Sequence, residues 1–312
     1  MGKVIVTGGS GLVGNAIQKV INKHHHYTFI FLNSSDCDLT CINDTRVLFE
    51  KHKPEYVIHL AANVGGLYKN MNNKVDMLES NLMINLNVLK CCHEFKVKRC
   101  ISCLSTCIFP DNISYPIDES MLHDGPPHHS NDSYAYSKRM LDVQSKAYRY
   151  NYGSDFRCII PTNIYGTHDN YNLQNAHVIP ALIHKCYLSK KNNEPFKVCG
   201  TGKPLRQFIF ADDLASLIIW TLETDEPFQN IILSVPENDE ISIADVARKI
   251  ARCFDYEHMI EFDNTYSDGQ YKKTVNNSTL TRYINFEFTS IDKGLQESVN
   301  WFVKNYDNNI RL

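Results

Sequence analysis

Tyr134 and Lys138 lie four residues apart in "NDSYAYSKRM", a stretch with apolar residues at helical spacing, so the two share one helix face. An ammonium beside a phenol favours the phenolate and lowers a pKa that is near 10 in water. Such a tyrosine can exchange a proton with a carbonyl or alcohol during hydride transfer. Tyr136 falls on another face. With 17 tyrosines in the chain a chance Tyr-x-x-x-Lys is easy to find, and order is what raises this one. Upstream, "SCLSTCIFP" (102–110) closes an apolar run on Ser105 and Thr106, whose hydroxyls can reach the same substrate oxygen. Cys107 follows, and from its surroundings it reads either as a small buried hydrophobe, like Cys100 and Cys103, or as a reacting thiol. Further upstream, "VTGGSGLVG" sets Gly8, Gly11 and Gly14 three apart between a strand and a helix, the context a pyrophosphate-binding turn requires.

Elements alternate around these residues. "KVIVTGG", "YTFIFLN", "EYVIHLAA", "RCISCLSTCIF" and "DFRCIIPTNIYG" read as strands, and "GNAIQKVINK", "DTRVLFEKH", "NLMINLNVLKCCHEF" and "YAYSKRMLDVQSKAYRYN" as helices between them. This predicts an α/β, Rossmann-type doubly wound parallel sheet with its ligands at the carboxyl ends of the strands. After Tyr165 the pattern loosens into a loop, a helix and a polar hairpin, and the tail gives strand, helix, strand and helix. We expect a dinucleotide-binding domain from 1–164 and 203–230, and a smaller C-terminal α/β substrate domain from 165–202 and 231–312. The second strand ends on Asn33, Ser34 and Ser35, with Asp36 too late in register to take ribose hydroxyls. A small neutral tip leaves room for a 2′-phosphate, which favours NADP over NAD.

Bulk composition excludes other classes. Lys plus Arg is 32 against 35 for Asp plus Glu, a formal charge of -3 that leaves no footprint for nucleic acid or an anionic membrane. The apolar runs are too short or too charged for a membrane span, and the first residues enter a strand without a signal-like segment. Eleven cysteines, an odd number that includes the adjacent Cys91 and Cys92, suit reduced thiols in the cytoplasm. "HHH" at 24–26 reads as a solvated connector, and no metal site is expected.

The glycine spacing, "HLAA" (59–62), Ser105, Tyr134 with Lys138 and "PTNIYG" (161–166), in that order, resemble the extended short-chain dehydrogenase/reductase family. Within it, "AANVGGLYKN" (61–70), "STCIFP" (105–110), "PTNIYGTHDNYN" (161–172), "HVIPALIHK" (177–185), "GTGKPLRQFIFADDLA" (200–215) and "SDGQYKK" (267–273) are similar to the branch that epimerises and reduces a 4-keto nucleotide sugar, and together span nearly the whole chain. The resemblance implies NADP(H) as cofactor, GDP-4-keto-6-deoxy-D-mannose as substrate, and a homodimer paired through the helices near 79–95 and 134–151. It places cofactor contacts at Gly8, Ser10, Gly11, Leu12, Val13, Gly14, Asn33, Asp38, Leu39, Leu60, Ala61, Ala62, Tyr134, Lys138, Pro161, Asn163, Ile164 and His177. Substrate contacts fall on Asn163, Lys185, Cys199, Arg206, Asp268 and Lys273; the family commonly has tryptophan where this chain has Cys199.

A 4-ketohexose has acidic carbons on both sides of its carbonyl, so inverting them takes a base on one face and a proton donor on the other. The resemblance makes Cys107 that base and His177 that acid, with Ser105, Tyr134 and Lys138 completing the catalytic set. Two rivals stay open: a nucleotide-sugar 4-epimerase or 4,6-dehydratase holding NAD tightly, and a non-catalytic NADP-binding regulatory subunit. The dehydratases usually carry an acidic pair after the strand-end hydroxyl, which Ser105-Thr106-Cys107 lacks.

Overall fold

The computed structural model describes residues 2–23, 26–266, 268, 270–308 and 310–311. Strands are β1 (Gly2–Thr7), β2 (Tyr27–Phe31), β3 (Tyr56–His59), β4 (Arg99–Cys103), β5 (Asp155–Pro161), β6 (Asn163–Tyr165), β7 (Phe196–Cys199), β8 (Leu205–Arg206), β9 (Phe208–Phe210), β10 (Asn230–Leu233), β11 (Ile241–Ser242) and β12 (Ile260–Asp263). Helices are α1 (Leu12–Val20), α2 (Ile42–His52), α3 (Leu67–Asn72), α4 (Lys74–Glu94), α5 (Asp132–Tyr152), α6 (Val178–Asn192), α7 (Ala211–Glu223), α8 (Ile243–Cys253), α9 (Ser278–Tyr283) and α10 (Ile291–Asn305).

Six strands pair in parallel in the order β10-β5-β4-β3-β1-β2. Alternation along each strand divides the core as a pleated sheet must. Val4, Val6, Ile58, Ile101 and Ile159 pack with α1 and α7 on one face. Ile5, Val57, Cys100, Cys158 and Ile160 pack with α2, α4 and α5 on the other. Covered on both faces, the inner strands carry near-continuous apolar runs at their centres, as parallel strands do. This is the doubly wound sheet that the alternation predicts.

A separate core joins Tyr165, Tyr171, Ile183, Phe196 and Phe208 to apolar residues of α8 and α10, with β7 paired to β12 and β8 to β11. The central sheet takes in Ile231–Leu233, three residues past the division expected at 230. In place of the expected polar hairpin, α6 runs on through "SKKN" and stops where Asn193 turns left-handed (φ 56°), which lets its backbone N–H cap the helix. The fourth strand is shorter than its apolar run suggests: it ends at Cys103, and Thr106–Ile108 form a 3-10 turn capped by the Ser105 side chain. Of the "HHH" connector, His24 and His25 lie outside the described residues; His26 Nε2 is 3.0 Å from Glu223.

Candidate functional site

The chain runs from β1 to β2 on one side of the sheet and then to β3 on the other, so the crevice of a doubly wound fold opens at the ends of β1 and β3. The glycine turn fills it. Gly8 has φ +69°, and a Cβ there would lie 2.9 Å from Ala61 N, so the ends of β1 and β3 close only on glycine. A Cβ on Gly14 would sit 2.4 Å from Gly9 O, which makes Gly14 the condition for α1 to approach the turn. α1 starts on Gly11 with no side-chain cap and no acidic residue in its first turn. Its first N–H groups, including those of Leu12, Val13 and Gly14, are therefore available to an anion, and the positive helix end favours one. The residues present fit a dinucleotide pyrophosphate.

At the adenosine end the turn folds back on itself. Asn33 Oδ1 accepts from Ser35 N at 2.7 Å, and Asp36 Oδ2 accepts from Asn33 N at 2.8 Å. A carboxylate thus sits at the strand tip that the sequence register reads as neutral, because the 33–36 turn returns Asp36 to Asn33. Asp38 caps Thr40, while Asn87 of α4, which the motifs do not single out, donates to Leu39 O and Thr40 O at 2.9 Å. Past β3, Ala61 N donates to Thr7 Oγ1 at 3.1 Å, and Asn81, also unassigned by sequence, clamps Asn63 through its N–H (2.8 Å) and its C=O (2.9 Å).

Tyr134 and Lys138 occupy the first two turns of α5, anchored at its start by the Lys74–Asp132 ion pair (2.8 Å) and ended by Gly153 in the left-handed region. Lys138 is only 1% exposed and donates to Cys103 O at 2.8 Å; its ammonium is 5.9 Å from the Tyr134 ring centre. Tyr136 points outward, as its helix position requires. The expected lowering of the phenol by Lys138 is not what the surroundings impose. Burial, with Cys107 and Cys103 adding to it, pushes Tyr134 well above its usual value, and burial pushes Lys138 down. Desolvation outweighs the cation, which is engaged by a carbonyl.

Cys107 is buried, with its N–H 3.4 Å from Ser105 Oγ. Burial raises its thiol; Lys273, then Ser105 and Lys138, oppose that rise. Cys107, Ser105, Tyr134, Lys138 and Lys273 therefore form one electrostatic neighbourhood. His177 comes from elsewhere: it precedes α6 on a loop docked to the loop after β3, where Gly66 N donates to Asn175 O at 3.1 Å. Its ring makes no hydrogen bond among the described residues, is open to solvent, and is held below its ordinary pKa by the protein around it, as on a cleft wall.

Lys273 rides on a segment fastened from both sides. Tyr115 Oη donates to Lys272 O (2.7 Å), Ile117 N to Thr274 O (2.9 Å), and Val275 N to Gln207 Oε1 (2.8 Å). Arg206 is spent on the same segment and its own strand, donating to Gln270 O (2.6 Å) and Leu205 O (2.7 Å). Asp268 accepts from Thr201 N (2.9 Å) and Thr201 Oγ1 (2.6 Å), and Lys185 Nζ donates to the exposed Cys199 Sγ at 3.3 Å. Ser267 and Gly269 of "SDGQYKK" lie outside the described residues. Asn163 Nδ2 donates to Gln207 O (2.9 Å), Pro161 closes β5, and Ile164 packs into the core beside α7.

The family model described as "NAD dependent epimerase/dehydratase family" matches residues 4–234. The chain belongs to that family. This epimerase/dehydratase-family chain is 54% identical over 307 residues (97% of this chain, 96% of the relative) to "GDP-L-fucose synthase" of Dictyostelium discoideum. It is 47% identical over 317 residues (98% and 99%) to "Probable GDP-L-fucose synthase" of Drosophila melanogaster. The crystal structure of a "gdp-l-fucose synthetase from Naegleria fowleri bound to NADP" superposes with a TM-score of 0.94 at 45% identity, covering 100% of this chain and 95% of that one. The resemblance read from the motifs thus holds along the whole chain. No group of three or more His, Cys, Asp or Glu among the described residues is placed to hold a metal, and no described helix is long and apolar enough to cross a membrane.

The neighbourhood around Cys107 makes one prediction. The thiol, already raised by burial, becomes thiolate only as pH climbs past its ordinary range, and Lys273 is the largest influence shifting that transition down. Lys273→Met should move it further up, slowing iodoacetamide labelling of Cys107 at pH 8 by about tenfold, one pH unit's worth of thiolate. Lys273→Arg should restore most of the rate. Mass spectrometry of the Cys107 peptide separates it from the exposed Cys199.

Proposed function

We propose that this chain is a GDP-L-fucose synthase: it epimerises GDP-4-keto-6-deoxy-D-mannose at C3 and C5 and reduces the 4-keto group with NADPH. The observation that carries this reading is the 54% identity to a protein of that name over 97% of the chain. The group of Ser105, Cys107, Tyr134 and Lys138 at the carboxyl end of the sheet supplies the chemistry.

The Cys107 thiolate takes the proton from the carbon beside the ketone, leaving an enediolate whose oxygen is held by the Tyr134 and Ser105 hydroxyls. His177, as imidazolium, returns a proton on the opposite face, so one C–H bond breaks and another forms with inversion. The pair is reset through solvent and acts again at the second carbon. NADPH, when bound, supplies the hydride for C4. Tyr134 gives its proton to O4, and Lys138 holds the nicotinamide ribose. Burial disfavours the thiolate and the surrounding protein disfavours the imidazolium, and Lys273 and Lys138 offset this at the sulfur. Asn163, Lys185, Arg206, Asp268 and Lys273 line the nucleotide-sugar side, and Cys199 leaves that end without the aromatic surface common in the family.

The test is NADPH oxidation by the purified protein with GDP-4-keto-6-deoxymannose and identification of the product's configuration. GDP-L-fucose with one NADPH consumed per product is expected. Tightly held NAD with no NADPH consumption would install the 4-epimerase or dehydratase reading, and NADPH binding without turnover the regulatory one.

The same reading includes a homodimer. On α4, Val75, Met83 and Leu86, and on α5, Tyr136, Met140 and Val143, are between 41% and 67% exposed. Their helical spacing makes one apolar stripe along two packed helices that run in the same direction, a self-complementary surface for a four-helix interface. Met140→Asp with Val143→Asp should convert a dimer to a monomer in analytical ultracentrifugation. All eleven cysteines are free thiols, which suits a cytoplasmic enzyme.

A further inference from the structure

His59 closes β3 and is fully buried. Its two nitrogens sit in a chain whose direction the donors and acceptors fix. Asn85 Nδ2 donates to Ser137 O at 3.3 Å, so Asn85 presents Oδ1 to His59 Nε2 at 3.1 Å. Nε2 therefore carries the proton and Nδ1 is the acceptor. Thr7 Oγ1 lies 2.8 Å from Nδ1 and donates to it, while accepting from Ala61 N at 3.1 Å. Every donor in the run from Ala61 N through Thr7, His59 and Asn85 to Ser137 O meets one acceptor.

The ends of this run are the two halves of the site. Thr7 precedes Gly8 of the dinucleotide turn; Ser137 precedes Lys138 and is three residues past Tyr134. Nothing else among the described hydrogen bonds links β1, β3, α4 and α5 through consecutive buried side chains. The chain requires neutral imidazole, since a protonated ring would aim an N–H at the Thr7 hydroxyl and disrupt the order. Burial and the nearby Lys138 charge hold His59 down to about 3, against a favouring bond from Asn85.

We propose that His59 is a positioning residue for hydride transfer: locked as one tautomer between Thr7 and Asn85, it fixes the spacing between the cofactor turn and the helix bearing Tyr134 and Lys138. This rests on the reading that those two residues serve the reduction. A donor carbon a fraction of an ångström out of place slows transfer without abolishing binding.

The test compares Thr7→Val, Asn85→Leu and their double mutant with wild type, using NADPH deuterated at the transferred position and GDP-4-keto-6-deoxymannose. Each single variant should lower kcat about tenfold with little change in the KM for NADPH, and should raise the primary isotope effect as transfer becomes rate-limiting. The double should be no worse than the worse single, because both cut one chain. Thr7→Ser, which keeps the hydroxyl, should recover most of kcat, and Ser298→Ala, a buried hydroxyl beside α10's own backbone, should leave the isotope effect as it is. Isotope effects unchanged in both singles, or losses that multiply in the double, would overturn the proposal. Wild-type protein that transfers no hydride would instead overturn the reading beneath it.

Discussion

Cys107→Ser should separate the two half-reactions. In deuterated water the wild-type enzyme should exchange solvent deuterium into the sugar at the carbons flanking the ketone; the variant should lose that exchange by about 10²–10⁴-fold, the range expected when a positioned base is removed. NADPH should still be consumed, more slowly, giving a GDP-6-deoxyhexose that keeps the substrate's configuration at C3 and C5. The division follows from chemistry: inversion needs a group that can hold a negative charge on one face of the ring, whereas hydride transfer needs the phenol at O4. A serine hydroxyl is far too weak an acid to take the thiolate's part. Cys107 is 8% exposed, so an imperfectly paired hydroxyl there costs about 1–3 kcal/mol, and a melting curve separates lost folding from lost chemistry. Exchange at the wild-type rate would remove the thiol from the mechanism.

What the sequence makes legible is local. Glycine spacing, the one-face pairing of Tyr134 with Lys138, and the alternation that gives a parallel sheet all depend on neighbours within a turn or a strand. The sheet, both helical layers and the pyrophosphate turn are therefore readable from residues alone. The fourth strand is misread by six residues because "LSTCIF" keeps the composition of a strand, while the Ser105 side chain caps a turn that composition does not register. The turn at the second strand's tip shows the same limit: counting along the chain puts Asp36 past the strand, and the turn returns its carboxylate to Asn33 N.

Contacts between distant residues are the rest. Lys273 reaches the thiol's surroundings because Tyr115 binds Lys272 O across 157 positions, and Val275 meets Gln207 across 68. "HLAA" marks a strand end, but that its histidine is neutral, in one tautomer and joined to α5 depends on Asn85 and Ser137 arriving from two other elements. Protonation is the least legible property. A lysine one turn from a tyrosine suggests a lowered phenol, and only the burial of both shows that desolvation prevails.

That reversal sets the expectation for Tyr134→Phe. A phenol pushed well above its ordinary value stays protonated across the whole range in which the enzyme can work, the form that the proposed reduction requires of a donor to O4. The sign matters: a lowered phenol would lose its donor as pH rose through neutrality, and a raised one keeps it, so the reductive limb should show no fall assignable to Tyr134 below about pH 10. Phenylalanine preserves the ring's packing and removes the proton. NADPH oxidation should drop by about 10²–10⁴-fold, and deuterium exchange should drop with it, because the proposed mechanism has the same hydroxyl steady the enediolate of each inversion. NADPH affinity, followed by its fluorescence, should change little, since the glycine turn and Lys138 remain. Loss of reduction with exchange intact would place the enediolate oxygen on Ser105 alone; loss of both joins the two reactions at one hydroxyl.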